Sequence, residues 1–403
     1  GIREYFIAVG SGSNEDDILE FFSVGLARDI KIKNITMNPG STYFITLQIV
    51  NKAGMASRVS SSGITVDTSL PIIQEVKIKG SKTGHIGSEV ILTGNWKAFD
   101  DESDIDFTEF CFGTTKEGCN VQDMHRTLDN EVNATCLGCN LEHKYTYFMT
   151  VRVWNRAGLF NLATSEGVTA DLTAPVGGKV SLNRTHMSCV GGCNLTADFK
   201  GFIDEETGVE RCEFSIKTVN DVTVIPVRPT TSENQIEVNQ ISLDHGKSYK
   251  IAVACYNGVG ERSQVVLAPP FRIDNTPPEK GFVIVSPDEN HDIRRQHVGC
   301  HFFNTTLRVF WSEFQDEESN IAEYRVAIGR RRLGYDVIPY THFGIVSDAA
   351  FDLGEKYGLS LGETIFATVK AINRAGLSTE VSSHPSRLIS STDLNLTQED
   401  FLC

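Results

Sequence analysis

A short motif returns along this chain at a nearly fixed interval, and that interval constrains the fold more than any other feature. Asn51-Lys52-Ala53-Gly54 recurs as Asn155-Arg156-Ala157-Gly158, Asn257-Gly258-Val259-Gly260 and Asn373-Arg374-Ala375-Gly376. The first three copies are followed by Val66-Asp67-Thr68-Ser69, Ala170-Asp171-Leu172-Thr173 and Ile273-Asp274-Asn275-Thr276, each with a proline soon after. Asp67, Asp171 and Asp274 stand 104 and 103 residues apart. That period is too long for the stacked units of a solenoid and matches a β-sandwich of about 100 residues.

The residues before each Asn alternate. Tyr43, Ile45, Leu47 and Ile49 share one side of a strand, as do Tyr147, Met149, Val151 and Val153, then Tyr249, Ile251, Val253 and Cys255. The fourth series is Ile365, Ala367, Val369 and Ala371. Period two with β-branched and aromatic residues predicts a strand with one buried face. Six residues before the Tyr position stands an apolar residue, Met37, Leu141, Leu243 or Leu359, usually with turn formers between. This predicts a tight corner across which the tyrosine bonds back to the backbone. An upstream strand repeats too, as Ile2-x-x-Tyr5-x-Ile7-x-Val9, Val209-x-x-Cys212-x-Phe214-x-Ile216 and Ile321-x-x-Tyr324-x-Val326-x-Ile328. Trp96, Phe199 and Trp311 precede it, and no window carries a long helical period, so the expected class is all-β.

A tryptophan on the second strand, a Tyr-x-Val strand, a Leu-x-x-Gly-x-x-Tyr corner and an Asn-x-Ala-Gly turn, in this order, resemble fibronectin type III repeats. The resemblance implies tandem Greek-key β-sandwich domains arranged end to end. It divides the chain into 1–70, a partial domain lacking its first two strands, then 71–174, 175–277, and 278–403 with a C-terminal tail. Ile365 at the tyrosine position, Asn-Gly-Val-Gly in the third copy, and the cysteines depart from the family's usual pattern. Because Gly1-Ile2 aligns just after the acidic turn of the other copies, the expectation is a window onto a longer protein, or a half-domain complemented by a missing piece.

Ten cysteines sort evenly by copy. Cys111, Cys119, Cys136 and Cys139 fall in the second, Cys189, Cys193, Cys212 and Cys255 in the third, and Cys300 and Cys403 in the last. Even numbers suit bridging within domains, and four cysteines allow three connectivities. The preferred pairs are Cys111–Cys119 across a hairpin with Cys111 facing solvent, Cys136–Cys139, Cys189–Cys193 around Val-Gly-Gly, and Cys212–Cys255 between adjacent strands. Cys300 is the natural partner of Cys403. A lone Cys-x-x-Cys with no βαβ context supports neither redox nor zinc chemistry. Sequons begin at Asn34, Asn133, Asn183, Asn194, Asn304 and Asn395. Paired cysteines and N-linked glycan acceptors together place the chain outside the cell.

The net charge of −15 and pI near 5.2 argue against a nucleic-acid partner, and no run of about 18 apolar residues offers a membrane span. Acidic turns recur as Asp100-Asp101-Glu102-Ser103, Asp204-Glu205-Glu206-Thr207 and Asp316-Glu317-Glu318-Ser319. With Asp67, Asp171 and Asp274 from the preceding linkers, they would offer Ca²⁺ the six to eight oxygens it takes. The same residues also suit plain solvated turns, with Asp and Ser capping local backbone. Arg330-Arg331-Arg332 is the one basic run, open to sulfated glycans or simply an exposed hairpin. His291, His297, Cys300 and His301 match no standard zinc spacing. No catalytic motif appears, so no enzyme and no cofactor beyond Ca²⁺ is expected.

The expected function is an extracellular structural or adhesive array within a larger secreted or cell-surface protein. Its partners would be other extracellular proteins or further copies of itself. The alternatives are a ligand-binding receptor ectodomain, for which the WSxWS motif is missing, and an accessory module of a large extracellular enzyme. No Arg-Gly-Asp triplet occurs.

Overall fold

The computed structural model describes residues 1–403 except 81–82, 89–90, 129–133, 137, 231, 287–298, 303–305, 354–356 and 391–403. The described residues form strands and turns without an α-helix, and none of them makes a helix long and apolar enough to cross a membrane. The chain folds into two compact units. One comprises Gly1–Ala174 with Asp204–Gly208 and Asn257–Glu261; the other holds Pro175–Ile203, Val209–Tyr256 and Arg262–Cys403.

In the first unit, the second repeat is a sandwich. One sheet runs Gln122–Thr127, Ile105–Gly113, Thr146–Asn155, Val168–Ala170 and His85–Ile86; the other centres Thr93–Phe99 between Ala134–Thr135 and Ile72–Ile78. Alternation sends Phe110, Phe112, Tyr147, Met149, Val151 and Val153 inward, where they meet Trp96 and Leu92. The first repeat contributes one sheet, ordered Leu19–Gly25, Ile2–Gly10, Thr42–Asn51 and Ala56–Ser60, with Ile64–Thr65 also on Thr42–Asn51. No opposing sheet is found among its described residues.

The second unit repeats the sandwich twice. In the third repeat Cys193–Lys200 lies between Lys179–Leu182 and Gln235–Ile241, facing the sheet of Val209–Thr218 and Ser248–Asn257. In the fourth, Thr306–Ser312 lies between Phe282–Ser286 and Asp348–Asp352, facing Ile321–Gly329 and Thr364–Asn373. Phe199 and Trp311 are buried where Trp96 stands in the second repeat. A short strand after the first one crosses to the other sheet in each sandwich and pairs parallel to its last strand: His85–Ile86, His186–Met187 and Cys300–Phe302.

The tyrosine corner forms as expected in three repeats. The amides of Asn38, Glu142 and Asp244 donate to the hydroxyls of Tyr43, Tyr147 and Tyr249 at 2.8, 2.7 and 3.0 Å. In the fourth, Ile365 has no hydroxyl, and the Ser360 amide at the same offset donates to Glu363 Oε2 at 2.9 Å. A second device was not read from the sequence. In three hairpins, backbone amides of Ser11, Thr114 and Arg330 donate to the side chains of Asp17, Asn120 and Asp336 at 2.8, 2.9 and 3.1 Å. The preceding Gly10, Gly113 and Gly329 are required, because a Cβ there would collide with the returning backbone.

Candidate junction site

Asn155, Asn257 and Asn373 of the recurring turn each do two jobs through their two amide atoms. Asn155 Oδ1 accepts from the Leu159 amide at 2.8 Å, and Asn257 Oδ1 and Asn373 Oδ1 accept from Glu261 and Leu377 at 2.8 Å each. The turn's glycines, Gly158, Gly260 and Gly376, take φ of 84°, 95° and 86°, a region open to glycine without steric cost. Holding Oδ1 in the turn aims the NH₂ group at the acidic residues. This fixes the amide's orientation, since a flip would place a donor against those backbone N–H groups.

Around that NH₂ the same atoms gather three times. In the first unit, Asn155 Nδ2 donates to Asp67 Oδ2 at 2.6 Å, to Asp100 Oδ2 at 3.2 Å and to the Ser69 carbonyl at 3.2 Å. Ser103 Oγ donates to Asp67 Oδ2 at 2.5 Å. Also in the first unit, Asn257 Nδ2 donates to Asp171 Oδ2 at 2.9 Å, Asp204 Oδ2 at 3.1 Å and the Thr173 carbonyl at 2.9 Å. There Thr207 Oγ1 donates to Asp171 Oδ2 at 2.8 Å. In the second unit, Asn373 reaches Asp274, Asp316 and the Thr276 carbonyl at 2.8, 2.9 and 3.0 Å, and Ser319 donates to Asp274 at 2.6 Å. Asp171, Asp274 and Asn257 are fully buried. Buried carboxylates persist only when hydrogen-bonded, and here Asn257 and Thr207 donate to Asp171, and Asn373 and Ser319 to Asp274.

The four residues of each acidic turn therefore divide their roles. The first carboxylate, Asp100, Asp204 or Asp316, meets the Asn amide, and its other oxygen accepts from the backbone amide of Ser103, Thr207 or Ser319 at 2.9, 2.9 and 2.8 Å. The second, Asp101, Glu205 or Glu317, points to solvent. The third reaches the linker. Glu102 accepts directly from the Thr68 amide at 2.8 Å. Glu206 and Glu318 instead lie 3.6 Å from Nε2 of His143 and His245, whose Nδ1 atoms accept from the Leu172 and Asn275 amides at 3.2 and 3.0 Å. Those hydrogen bonds require the neutral ring with its proton on Nε2. The histidine occupies the corner position where the first repeat has Pro39.

Charges follow from these contacts. Lys144 Nζ lies 2.7 Å from Glu206, and that hydrogen bond holds the glutamate below its usual range and the lysine above its own. Burial alone would raise Asp316, yet hydrogen bonds from Asn373 and Ser319 outweigh it and hold the carboxyl below the usual aspartate range. For a cation, Asp171, Asp204 and Glu206 among the described residues bring one oxygen each within 4.8 Å of the others. Asn257 sets an NH₂ donor between two of these carboxylates, and Lys144 already pairs with the third.

The other sequence candidates are placed as follows. Cys111–Cys119, Cys136–Cys139, Cys189–Cys193 and Cys212–Cys255 are bonded, and Cys300 is disulfide-bonded as well; Cys403 lies outside the described residues. Cys111 does not face solvent: it is fully buried, because the hairpin through Cys119 folds back over the sheet's outer side and puts the Gly118 carbonyl 3.6 Å from its sulfur. Asn34, Asn183 and Asn194 are exposed, while Asn133, Asn304 and Asn395 lie outside the described residues. Arg330 pairs with Asp336 at 3.1 Å and donates to the Gly358 carbonyl at 2.9 Å, and Arg332 lies over the Phe366 ring. The basic run is thus partly spent on its own hairpin. His291 and His297 lie outside the described residues; the backbone of Cys300 and His301 pairs with the last strand of the fourth repeat.

No family model and no curated protein sequence matches this chain. Solved structures do. A 1.5-MDa bacterial ice-binding adhesin, studied for host cell surface retention, is 12% identical, covering 80% of this chain and 99% of its own at a TM-score of 0.40. A Ca²⁺-stabilized adhesin of an Antarctic bacterium is 11% identical, covering 97% and 90% at 0.36. Fibronectin(III)-like modules of Clostridium thermocellum CbhA are 13% identical, covering 54% and 98% at 0.31. The fold is that of tandem β-sandwich repeats sharing one strand arrangement. The Asn amide was missed as a site residue although its signal was present: Asn, the linker Asp and the turn's Ser or Thr all recur in step.

Proposed function

We propose that the chain is an extracellular structural and adhesive array, divided into repeats at 1–70, 71–174, 175–277 and 278–403, within a larger secreted or cell-surface protein. The observation that carries this reading is the cluster built three times from the same atoms, which ties each linker to the repeat that follows. A chain organised around an enclosed substrate would invest its buried polar groups in one place. This one spends them identically at every step, as a spacer that must keep its geometry does. Disulfides and glycans at Asn34, Asn183 and Asn194 suit a chain exposed to proteases, and its partners are other extracellular proteins or further copies of itself.

Stretching single molecules under oxidising conditions tests the reading. The array should extend in separate steps, one for each closed repeat, and Asn257→Ala should lower the force of a single step. Extension in one step, or an N257A record identical to the parent, overturns it.

Calcium is a second reading at one cluster only, favoured by the convergence of Asp171, Asp204 and Glu206. Lys144 would have to release Glu206 for the ion to enter. A melt that does not move between chelator and millimolar Ca²⁺ sets this reading aside without touching the first.

A further inference from the structure

The third and fourth repeats differ at two positions that meet between their sheets. In the fourth, the Tyr324 ring lies 5.5 Å from Trp311 and 5.8 Å from Phe314, and Tyr324 stands directly across from Ala371 on the neighbouring strand. In the third, the positions of Tyr324, Trp311, Phe314 and Ala371 hold Cys212, Phe199, Phe202 and Cys255. Cys212 is bonded to Cys255 with their Cα atoms 4.0 Å apart, so a covalent bridge stands where the fourth repeat has a phenol ring. A phenyl likewise stands where the second and fourth repeats have an indole.

The volume of those larger groups is left open. Phe199 and Phe202 meet edge to face at 6.1 Å, and beside them lies a pocket of about 510 Å³ whose wall also includes Val209 and Cys212. Val209 is 38% exposed, whereas Ile321 at its position packs against the fourth repeat's core. The pocket lies wholly within the second unit, and its size falls in the range of about 300–1,000 Å³ that holds small organic groups. Lys200 and Arg211 line it together with Glu210 and Glu233. Two cations beside two anions leave no net charge, so an ion meets as much repulsion as attraction, and an uncharged ring is the better guest. Ser232 and Asn234 add a hydroxyl and an amide for a polar substituent.

We propose that this pocket receives the side chain of a tyrosine presented by a partner protein. The guest ring takes the place that Tyr324 holds in the fourth repeat, packing on Phe199 and Phe202 above the Cys212–Cys255 bridge, with its hydroxyl toward Ser232 and Asn234. Tyrosine suits the task because it brings a large ring while ordering few side-chain torsions, and buried aromatic anchors carry most of the energy of many interfaces. On the reading of the chain as an adhesive array, on which this rests, the third repeat holds a defined point of attachment.

The test uses the whole 403-residue chain with N-acetyltyrosinamide as the probe, followed by methyl NMR. Saturable binding at about millimolar probe is expected of so small a ligand, with shifts at Val209 and none in the other repeats. Phe199→Trp, which places the indole of the second and fourth repeats here, should weaken binding about tenfold or more. Val209→Glu, which adds an unmatched charge to the exposed wall, should do the same, and N-acetylphosphotyrosinamide should bind the parent about tenfold more weakly. Unchanged amide exchange at Ile251 and Val253 checks that both variants keep the third repeat folded. No saturation by about 30 mM probe, well above that affinity, overturns the proposal. So do shifts centred in another repeat, an affinity that either variant leaves unchanged, or a phosphorylated probe that binds as tightly. The stretching steps expected of the array do not depend on the probe, so its failure with those steps intact removes the pocket alone.

Discussion

The first and fourth repeats share one sheet almost residue for residue and differ in what lies over it. Ile2–Gly10 pairs with Thr42–Asn51 through a bulge between Ile2 and Glu4, and Ile321–Gly329 pairs with Thr364–Asn373 through a bulge between Ile321 and Glu323. From there the register runs identically, ending at Gly10↔Phe44 and Gly329↔Phe366. Yet Val369 is fully buried in the fourth repeat, and Leu47 at its position is only half-buried in the first. Register is therefore set within the sheet, by alternation, hairpin and bulge, while burial is set by the sheet opposite. The same pattern is buried in one place and half-exposed in the other.

The largest expected effect breaks that comparison at the core. Leu307 is fully buried on the opposing sheet of the fourth repeat. Leu307→Ala should cost about 2–5 kcal/mol there, while Ile45→Ala in the first repeat should cost well under about 1 kcal/mol. Amide exchange resolved by repeat is the measurement, since a chain of several domains does not melt as one two-state unit. Equal losses would mean that the open face is already covered in solution.

Next is the recurring asparagine. In the first repeat Asn51 Oδ1 accepts from the Ala53 and Met55 amides at 2.9 and 3.0 Å, as turn residues do. In the fourth, Asn373 holds both the turn and two carboxylates. Asn373→Ala should cost about 2–4 kcal/mol, because Asp274 and Asp316 lose a shared donor inside the protein, and Asn51→Ala about 1 kcal/mol. Urea titration followed by exchange in each repeat would separate the two. Similar costs would show that the turn, and not the cluster, carries the energy.

How much of this was legible follows from the kind of signal. Strands, corners and repeats were readable because period two and a fixed spacing are one-dimensional. The convergence of Asp274 on Asp316 was expected from the same spacing, but the donor between them was not, because an asparagine in a turn looks complete with its backbone bonds. Cys111 was assigned outward by phase, and phase is right about the sheet face; the strand hairpin that covers that face lies beyond what alternation encodes. His143 and His245 were silent because nothing in the sequence tells a corner residue that its ring will accept from a linker amide.

Acid gives a smaller effect. Asp316 is held below the usual aspartate range in the folded protein, so the ionised carboxylate stabilises the fourth repeat at every pH above the unfolded value of about 3.9. That contribution disappears as pH falls through the lower, folded value. Asp316→Asn should reduce stability at neutral pH and flatten the fourth repeat's loss of stability below about pH 4, with the first repeat's profile unchanged. An unaltered slope in D316N would place the acid sensitivity in other carboxylates.

The smallest effect concerns the corner, where the two repeats solve one problem with different atoms. Tyr43 offers its hydroxyl to the Asn38 amide at 2.8 Å, and Glu363 offers a carboxylate to the Ser360 amide at 2.9 Å. Each bond satisfies a single backbone donor, so Tyr43→Phe and Glu363→Ala should each cost about 0.5–1.5 kcal/mol. Placing the other repeats' tyrosine here distinguishes substitution from mere coincidence. Ile365→Tyr alone gains little while Glu363 already occupies the Ser360 amide, but in the Glu363→Ala background the new hydroxyl should recover most of the loss. Ile365 is 1% exposed and packed in the fourth repeat's core, so any clash from the larger ring appears in both backgrounds and cancels in the double-mutant cycle. A cycle that closes with no coupling between positions 363 and 365 would show that the glutamate does not stand in for the tyrosine.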